Sequence, residues 1–184
     1  MVKVAAVFGL SGVGKSWLIS RYAGKNTVMH IQASELLRDA KMALLGAAVS
    51  SEELRTGAVL DNQQLLITGF AAVRADAALP IIFDGHCVVD RGSDLVEIPV
   101  EVIRALSVSG LVFIRSEAEA IVEKRLEDKT RSRPIRSPEE ILAHQQRALS
   151  LCEEYATDLD LDLYTVEAGD EERFATALAS ILEH

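Results

Sequence analysis

The sequence begins with an apolar run that breaks into glycines and ends on a lysine and a serine, VAAVFGLSGVGKS over residues 4–16. The apolar residues are typical of a strand that is covered on both faces of a parallel sheet. The glycines and the Lys-Ser pair match the phosphate-binding loop pattern G-x-x-x-x-G-K-S, and a helical stretch, Trp17–Tyr22, follows. This segment therefore predicts a strand, an anion-binding loop and a helix in direct succession.

The predicted loop has the chemistry needed to hold a nucleoside triphosphate. Glycines allow positive φ, so that successive backbone N–H groups can point at one anion near a helix N-terminus. The lysine reaches the β- and γ-phosphates, and the serine hydroxyl suits Mg²⁺. We therefore expect ATP and Mg²⁺ as cofactors. The residues predicted to bind them are Gly9, Ser11, Gly12, Val13, Gly14, Lys15, Ser16 and Trp17.

Further short apolar runs occur at residues 27–31, 80–83, 110–114 and 162–166. Stretches with helical periodicity separate them, and this alternation predicts βαβ crossovers and one parallel sheet in an α/β/α arrangement. A domain usually holds roughly 100–200 residues, so we expect residues 1–184 to form a single domain.

Two connections are longer than a crossover requires, at residues 33–79 and 128–137. The first has room for more than one helix and predicts a helical insertion. The second ends at Ser137, Pro138 and Glu140, the pattern of an N-cap, a first helical residue and a capping box. Both follow strands at the carboxyl edge of the sheet, where ligands of open α/β sheets bind.

A carboxylate and several arginines are expected at the same edge. Asp84 ends the third apolar run and could orient Mg²⁺ together with Ser16; His86, two residues later, is a candidate for substrate contact or a structural histidine. The segment 124–136 holds six basic residues and two acidic ones, although the whole chain has a net charge of −9. Guanidinium groups on such a loop can close over phosphates as a lid. The predicted catalytic residues are Lys15, Asp84, Arg125, Arg131 and Arg133.

A second anion site is expected in the insertion, because Ser34 and Arg38 share one helix face. An acceptor hydroxyl needs a nearby base, whereas a phosphate acceptor is already ionised near pH 7. No aspartate follows the second apolar run, which favours a phosphate acceptor. Glu35 keeps open the alternative of a kinase for another small metabolite.

Composition excludes other classes of function. The acidic net charge argues against general nucleic-acid binding, which requires a basic face. No run approaches the roughly 20 apolar residues of a membrane helix, and no signal peptide is recognisable, so we expect a cytoplasmic protein that does not bind membranes. Cys87 and Cys152 have no metal-ligand spacing and are expected to be reduced core thiols.

Taken together, these segments resemble the nucleoside monophosphate kinases, and more closely the archaeal-type adenylate kinases and their bacterial relatives. The similarity spans most of the chain. It is carried by GLSGVGKS at 9–16, SELLR at 34–38, LRTG at 54–57, FDGH at 83–86 and KRLEDKTRSR at 124–133, with Gln145 downstream.

The resemblance implies a sheet of order 2-3-1-4-5, a monophosphate-binding helical insertion and a short lid. It assigns the acceptor phosphate to Arg38 and close approach of the acceptor base to Gly57. Arg125, Arg131 and Arg133 would form the lid set. Many adenylate kinases follow the Asp-Gly pair with Phe-Pro-Arg, whereas this chain has His86-Cys87-Val88, so Arg91 is a candidate replacement.

The sequence thus predicts Mg²⁺-dependent, reversible transfer of the ATP γ-phosphoryl group to a nucleoside monophosphate, with a small-molecule nucleotide as partner. Two alternatives stay open. One is a P-loop kinase of another small metabolite, and the other is a nucleotide-binding regulatory ATPase that acts through a partner protein.

Overall fold

The computed structural model describes residues 2–45, 59–131 and 133–183. Its main sheet consists of five parallel strands, which pair in the order β2-β3-β1-β6-β7. The strands are β1 (Val4–Phe8), β2 (Met29–Gln32), β3 (Ile81–Asp84), β6 (Gly110–Arg115) and β7 (Leu163–Glu167). Counted within this sheet alone, the order is 2-3-1-4-5, as the resemblance implied.

Two further strands form a hairpin that the sequence analysis did not predict. β4 (Val88–Asp90) and β5 (Leu95–Glu97) pair antiparallel between β3 and the next helix, so the described chain has seven strands. Each strand is only three residues long, too short for an alternating pattern to be recognised in the sequence. The hairpin therefore adds a small second sheet beyond the carboxyl end of β3.

Seven helices are described. They are α1 (Lys15–Ala23), α2 (Ala33–Leu45), α3 (Val59–Asp76), α4 (Val100–Leu106), α5 (Ala118–Glu127), α6 (Pro138–Leu159) and α7 (Glu171–Leu182). Within the predicted insertion 33–79, α2 and α3 are helical and pack on each other, and residues 46–58 lie outside the described parts. None of the described helices is both long enough and apolar enough to cross a membrane.

The helices cover both faces of the sheet, as one contact on each face shows. Ala5 and Gly110 are partners in register, and the absence of a side chain at Gly110 lets Ile181 of α7 lie against that face. Phe8 is three residues after Ala5 and therefore points to the opposite face. There its ring packs edge-on against Tyr155 of α6, with centroids 6.4 Å apart. The predicted α/β/α layering is therefore confirmed.

The start of α6 has the capping box that the sequence predicted. The Glu140 N–H donates to Ser137 Oγ at 3.3 Å, and the Ser137 N–H donates to Glu140 Oε2 at 2.8 Å. This cap fixes the point where the basic segment 128–137 ends and the helix begins.

The two cysteines are free and buried in the core, as predicted. They are distant in sequence but adjacent in space, with 3.7 Å between Cys87 Sγ and Cys152 Sγ. The Cys87 thiol also donates to the carbonyl of Ala148. These contacts connect the segment after β3 to α6.

Candidate functional site

The glycine-rich loop curls at the carboxyl end of β1. Gly9, Gly12 and Gly14 have φ values of 147°, 88° and 111°. Gly14 is the N-cap of α1, and among the described residues no side chain caps this helix and none in its first turn is acidic. The first N–H groups of a helix lack intrahelical acceptors and attract anions. The loop and the start of α1 therefore form an open anion-binding cradle.

Lys15 points back into the loop from the first turn of α1. Its side chain is only 6% exposed, and Nζ donates to the Gly9 carbonyl at 2.9 Å. Burial lowers the pKa of Lys15, and the Asp84 carboxylate, 4.0 Å away, counteracts this effect. The structure thus holds a cation under the backbone that would face a triphosphate.

Asp84 lies at the end of β3 and is almost fully buried, at 8% exposure. Its Oδ2 is 3.6 Å from Nε2 of His30 on β2, and its Oδ1 faces Lys15. Burial alone would raise the pKa of Asp84, but contact with His30 and the Lys15 charge outweigh burial and lower it. Asp84 is therefore held as a carboxylate beside the loop.

The sequence analysis did not include His30 in the site. Strand register explains its position: His30 pairs with Ile82, which lies two residues before Asp84 and so on the same face of the sheet. The available signal was a histidine inside the apolar run at residues 27–31.

His86 contacts the loop from the other side. Its Nδ1 lies 2.8 Å from the Gly9 carbonyl oxygen and 3.3 Å from Lys15 Nζ. Because a carbonyl only accepts hydrogen bonds, we assign the ring proton to Nδ1. His86 is exposed at the surface, so solvent limits the effect, but partial removal of water from the ring and repulsion by Lys15 lower the pKa of His86.

This lowered pKa predicts how stability depends on pH. The unfolded chain protonates His86 near pH 6.5, whereas the folded protein resists protonation until a lower pH. The unfolded state then binds more protons below pH 6.5, so stability falls as the pH drops. We expect His86→Gln to flatten the decrease in melting temperature between pH 7 and pH 5, measured by thermal denaturation. Parallel curves for the two proteins would contradict this expectation.

Two of the predicted lid arginines contact the loop at Ser11. Arg125 Nε donates to the Ser11 carbonyl at 2.8 Å, and Arg133 Nε donates to Ser11 Oγ at 2.9 Å. Arg133 Nη2 also bonds Asp128 at 2.7 Å, while its Nη1 is buried without a hydrogen-bond partner. A buried guanidinium donor without an acceptor is costly, and a phosphate oxygen is a suitable partner for it.

Arg131 is exposed, and no hydrogen bond or ion pair of its side chain is found among the described residues. Its charge nevertheless acts on the cradle, since it contributes to lowering the pKa of both Lys15 and His86. The lid arginines therefore add positive charge to the same volume as Lys15.

The other predicted site residues lie at the rim or outside the described parts. The Ser16 side chain is exposed, and so is that of Trp17, which packs against the guanidinium of Arg21. Ser34 is exposed and Arg38 half-buried, one turn apart on α2. Gly57 falls outside the described residues. Arg91 lies in the turn of the β4–β5 hairpin.

No cluster of three or more histidine, cysteine or acidic side chains that could hold a metal ion is found in the parts of the chain that the structure describes. The residues present fit a cation that is bound mostly by phosphate oxygens and water. Mg²⁺ is commonly held in this way, through one or two protein ligands.

A protein-family model described as an AAA domain matches residues 8–142. The chain is 24% identical over 158 residues to an adenylate kinase of Methanothermobacter thermautotrophicus, which covers 85% of this chain and 85% of that protein. It is 25% identical over 193 residues to an adenylate kinase of Pyrococcus abyssi, with 98% and 93% covered. These matches confirm the resemblance inferred from the sequence motifs.

Solved structures share the fold at lower identity. A shikimate kinase from Aquifex aeolicus superposes with a TM-score of 0.60 at 16% identity, covering 98% of this chain and 96% of that one. A gluconokinase from Sinorhizobium meliloti gives a TM-score of 0.53 at 15% identity, covering 98% and 94%. At this identity the likeness establishes the fold alone.

Proposed function

This chain belongs to the AAA domain family, and on that premise we propose that it is a P-loop kinase that transfers the γ-phosphoryl group of ATP to a nucleoside monophosphate. The two adenylate kinases to which it is similar support this activity. The single observation that carries the proposal is that Lys15, Arg125 and Arg133 all form hydrogen bonds to the glycine-rich loop that precedes α1.

Charge explains why this arrangement suits phosphoryl transfer. The transition state spreads negative charge over the oxygens of the transferred group, so fixed cations and N–H donors around it lower the barrier. Lys15 supplies a buried cation, and the start of α1 supplies N–H groups without side-chain caps. Arg133 supplies a buried Nη1 donor that has no partner in the described structure. The free energy of burying this donor would be recovered when a phosphate oxygen accepts from it.

In this mechanism the protein positions its substrates and neutralises charge, without a covalent intermediate. The loop amides and Lys15 hold the donor phosphates, and Arg125, Arg131 and Arg133 surround the transferred group. Ser16 and Asp84 would hold Mg²⁺, which neutralises phosphate charge when it is bound. The lowered pKa of Asp84 keeps that carboxylate ionised for this role.

The acceptor is proposed to be a phosphate carried by the nucleoside monophosphate. Arg38 lies half-buried on α2, directly after β2, and the helices α2 and α3 form a paired unit at this end of the sheet. A guanidinium group there could bind the acceptor phosphate with two parallel hydrogen bonds. Gly57 and His86 are proposed to line the same substrate pocket.

The test is a coupled assay for ADP formation with ATP, Mg²⁺ and a panel of acceptors. AMP, CMP, GMP and UMP test the proposed class, while shikimate and gluconate test hydroxyl acceptors. Turnover of one monophosphate well above the rate of ATP hydrolysis alone is the expected result. Turnover of none would remove the acceptor assignment, and slow hydrolysis without any acceptor effect would favour a regulatory ATPase.

Arg38 gives a specific prediction within this assay. A hydrogen bond to a charged group is worth about 1.5–3 kcal/mol, so Arg38→Ala should raise the KM for the monophosphate roughly 10- to 100-fold. The KM for ATP should not change. Lys41→Ala, at the other basic residue of α2, is the matched control and should leave both KM values near wild type. Equal effects of the two variants would argue against an acceptor role for Arg38.

One observation favours a second candidate, a kinase whose acceptor is a hydroxyl group. His30 Nε2 faces Asp84 at 3.6 Å and is buried without a hydrogen bond, so the pair resembles a base with an orienting group. Such a base would accept the hydroxyl proton as the phosphoryl group is transferred. Under this candidate, Asp84→Asn would abolish turnover of the hydroxyl acceptor.

A further inference from the structure

Arg136, the last basic residue of the lid segment 128–137, makes contacts that differ from those of Arg125 and Arg133. The Arg136 side chain is 18% exposed, and its guanidinium group donates to both carboxylate oxygens of Asp90, from Nε at 3.1 Å and from Nη2 at 2.9 Å. Nη2 also donates to the Gly92 carbonyl at 2.7 Å, and Nη1 donates to Glu140 at 3.1 Å. Four of the five guanidinium N–H groups are thereby occupied, so Arg136 is poorly suited to bind phosphate.

The surroundings of Asp90 keep its carboxylate ionised, as an ion pair with Arg136 requires. Asp90 is 13% exposed at the end of β4, and its Oδ1 also accepts from the Gly92 N–H at 2.9 Å. Partial burial would raise the pKa of Asp90, but the bonds from Arg136 and Gly92 lower it. His144 of α6 faces the same carboxylate at 3.9 Å. A planar, two-bond pair of this kind fixes orientation as well as distance.

The pair connects the two sides of the candidate site. Asp90 lies six residues after Asp84, in the hairpin that directly follows the active-site segment. Arg136 lies three residues after Arg133, whose Nε bonds Ser11. Pro134 packs against the hairpin turn at Gly92. A Cβ atom placed on Gly92 would lie 3.9 Å from Cγ of Pro134. The carboxyl end of the lid is therefore fastened to the hairpin.

We propose that the Asp90–Arg136 ion pair is a positioning element that fastens the lid to the β4–β5 hairpin and so keeps Arg133 above the phosphate-binding loop. Neither residue touches the nucleotide in this proposal. Without the pair, the lid segment would have to be ordered each time ATP binds, which costs conformational entropy. The proposal rests on the proposed function for its kinetic consequence, but not for its structural one.

The structural consequence is tested by limited trypsin digestion followed by mass spectrometry. Lys129 and Arg131 are exposed lid residues that remain in every variant below. We expect Asp90→Asn and Arg136→Gln each to accelerate cleavage after these two residues several-fold. The matched control is Glu97→Gln, which breaks a similar two-bond pair with Arg147 that joins the same hairpin to α6 but does not involve the lid. Unchanged cleavage in both lid variants, or equal acceleration in the control, would overturn the proposal.

The kinetic consequence is tested with the best acceptor from the panel. We expect Asp90→Asn to lower kcat/KM for ATP about tenfold, as is typical when residues that act together are uncoupled. Glu97→Gln should leave it within about twofold of wild type, as expected of an exposed pair. The conservative variant Asp90→Glu, which keeps a carboxylate facing Arg136, should lose much less activity than Asp90→Asn, because the ion pair can still form.

The two hypotheses fail in different ways. A wild-type protein that transfers no phosphoryl group, but whose Asp90→Asn variant is cleaved faster in the lid, contradicts the proposed function and supports the ion pair's role. A wild-type kinase whose Asp90→Asn variant keeps full activity and normal cleavage contradicts the role of the pair. Activity of Asp90→Glu no better than that of Asp90→Asn would also contradict it.

Discussion

Lys15→Met is expected to reduce phosphoryl transfer by roughly three orders of magnitude, the upper range for removing one electrostatic group that stabilises a transition state. Lys15 provides a buried cation beneath the loop, 2.9 Å from the Gly9 carbonyl and 4.0 Å from Asp84. Arg125 and Arg133 form their hydrogen bonds to the loop at Ser11, so they cannot supply a charge at the position of Lys15. Steady-state measurement of kcat/KM with the preferred acceptor tests the prediction.

The same substitution should leave the protein folded, so that its loss of activity reports on the chemical step and not on unfolding. Replacing Lys15 with methionine removes the desolvation cost of the buried cation but leaves the buried Asp84 carboxylate without this cation, a loss that His30, 3.6 Å from Asp84, offsets only in part. The Gly9 carbonyl also keeps a second donor, His86 Nδ1, at 2.8 Å. We therefore expect the melting temperature of Lys15→Met to lie a few degrees below that of wild type, with the protein still folded at the assay temperature. Lys25→Met removes a 66%-exposed lysine paired with Glu171 and is the control that should retain activity. A fully active Lys15→Met variant would refute the assigned chemistry.

Gly9→Ala is expected to cause the largest loss of stability among single-methyl substitutions in the loop. A Cβ at this position would lie 2.5 Å from the backbone oxygen of Ile114, and the residue has a φ of 147°. Backbone strain and overpacking each cost about 1–3 kcal/mol, so we expect a loss of about 2–6 kcal/mol in the free energy of unfolding. Because the Gly9 carbonyl accepts from Lys15, the shift should also abolish ATP binding. Urea denaturation and calorimetric titration with MgATP measure the two effects.

Gly169→Ala is the matched control for this experiment. Gly169 also has a positive φ, 94°, but a Cβ there would meet nothing within 4 Å. Only the backbone strain remains, so the expected loss of stability is about 1–2 kcal/mol. If the two alanine variants lost the same stability, the steric contact with β6 could not be the reason that residue 9 is glycine.

Some features of the site could be predicted from the sequence because they depend on local spacing. The loop over residues 9–16 follows its strand directly, and the chemistry of Lys15 is contained in the same short segment. The capping box at Ser137 and Glu140 depends on a separation of three residues. The apolar runs at 80–83 and 110–114 agree with the observed strands to within one residue. Parallel pairing then brings the carboxyl ends of the strands to one edge.

Other features depend on contacts between residues that are distant in the chain. His30 meets Asp84 only because β2 and β3 are neighbours in register. Arg136 is the same residue type as Arg131 and Arg133 and lies in the same basic segment, yet it forms an ion pair with Asp90, 46 residues away. No spacing rule distinguishes a phosphate-binding arginine from one that fastens the lid, because the difference lies in which carboxylate the fold brings near.

The sequence by itself determined the class of fold, the anion-binding loop and the placement of basic charge in a lid, since these follow from backbone conformation and periodicity over short stretches. The tertiary structure alone decided which charged groups act together: the burial of Lys15 beside Asp84, the convergence of Arg125 and Arg133 on Ser11, and the pairing of Arg136 with Asp90. The physical reason is that electrostatic and hydrogen-bond energies depend on distances through space, which the order of residues along the chain does not specify.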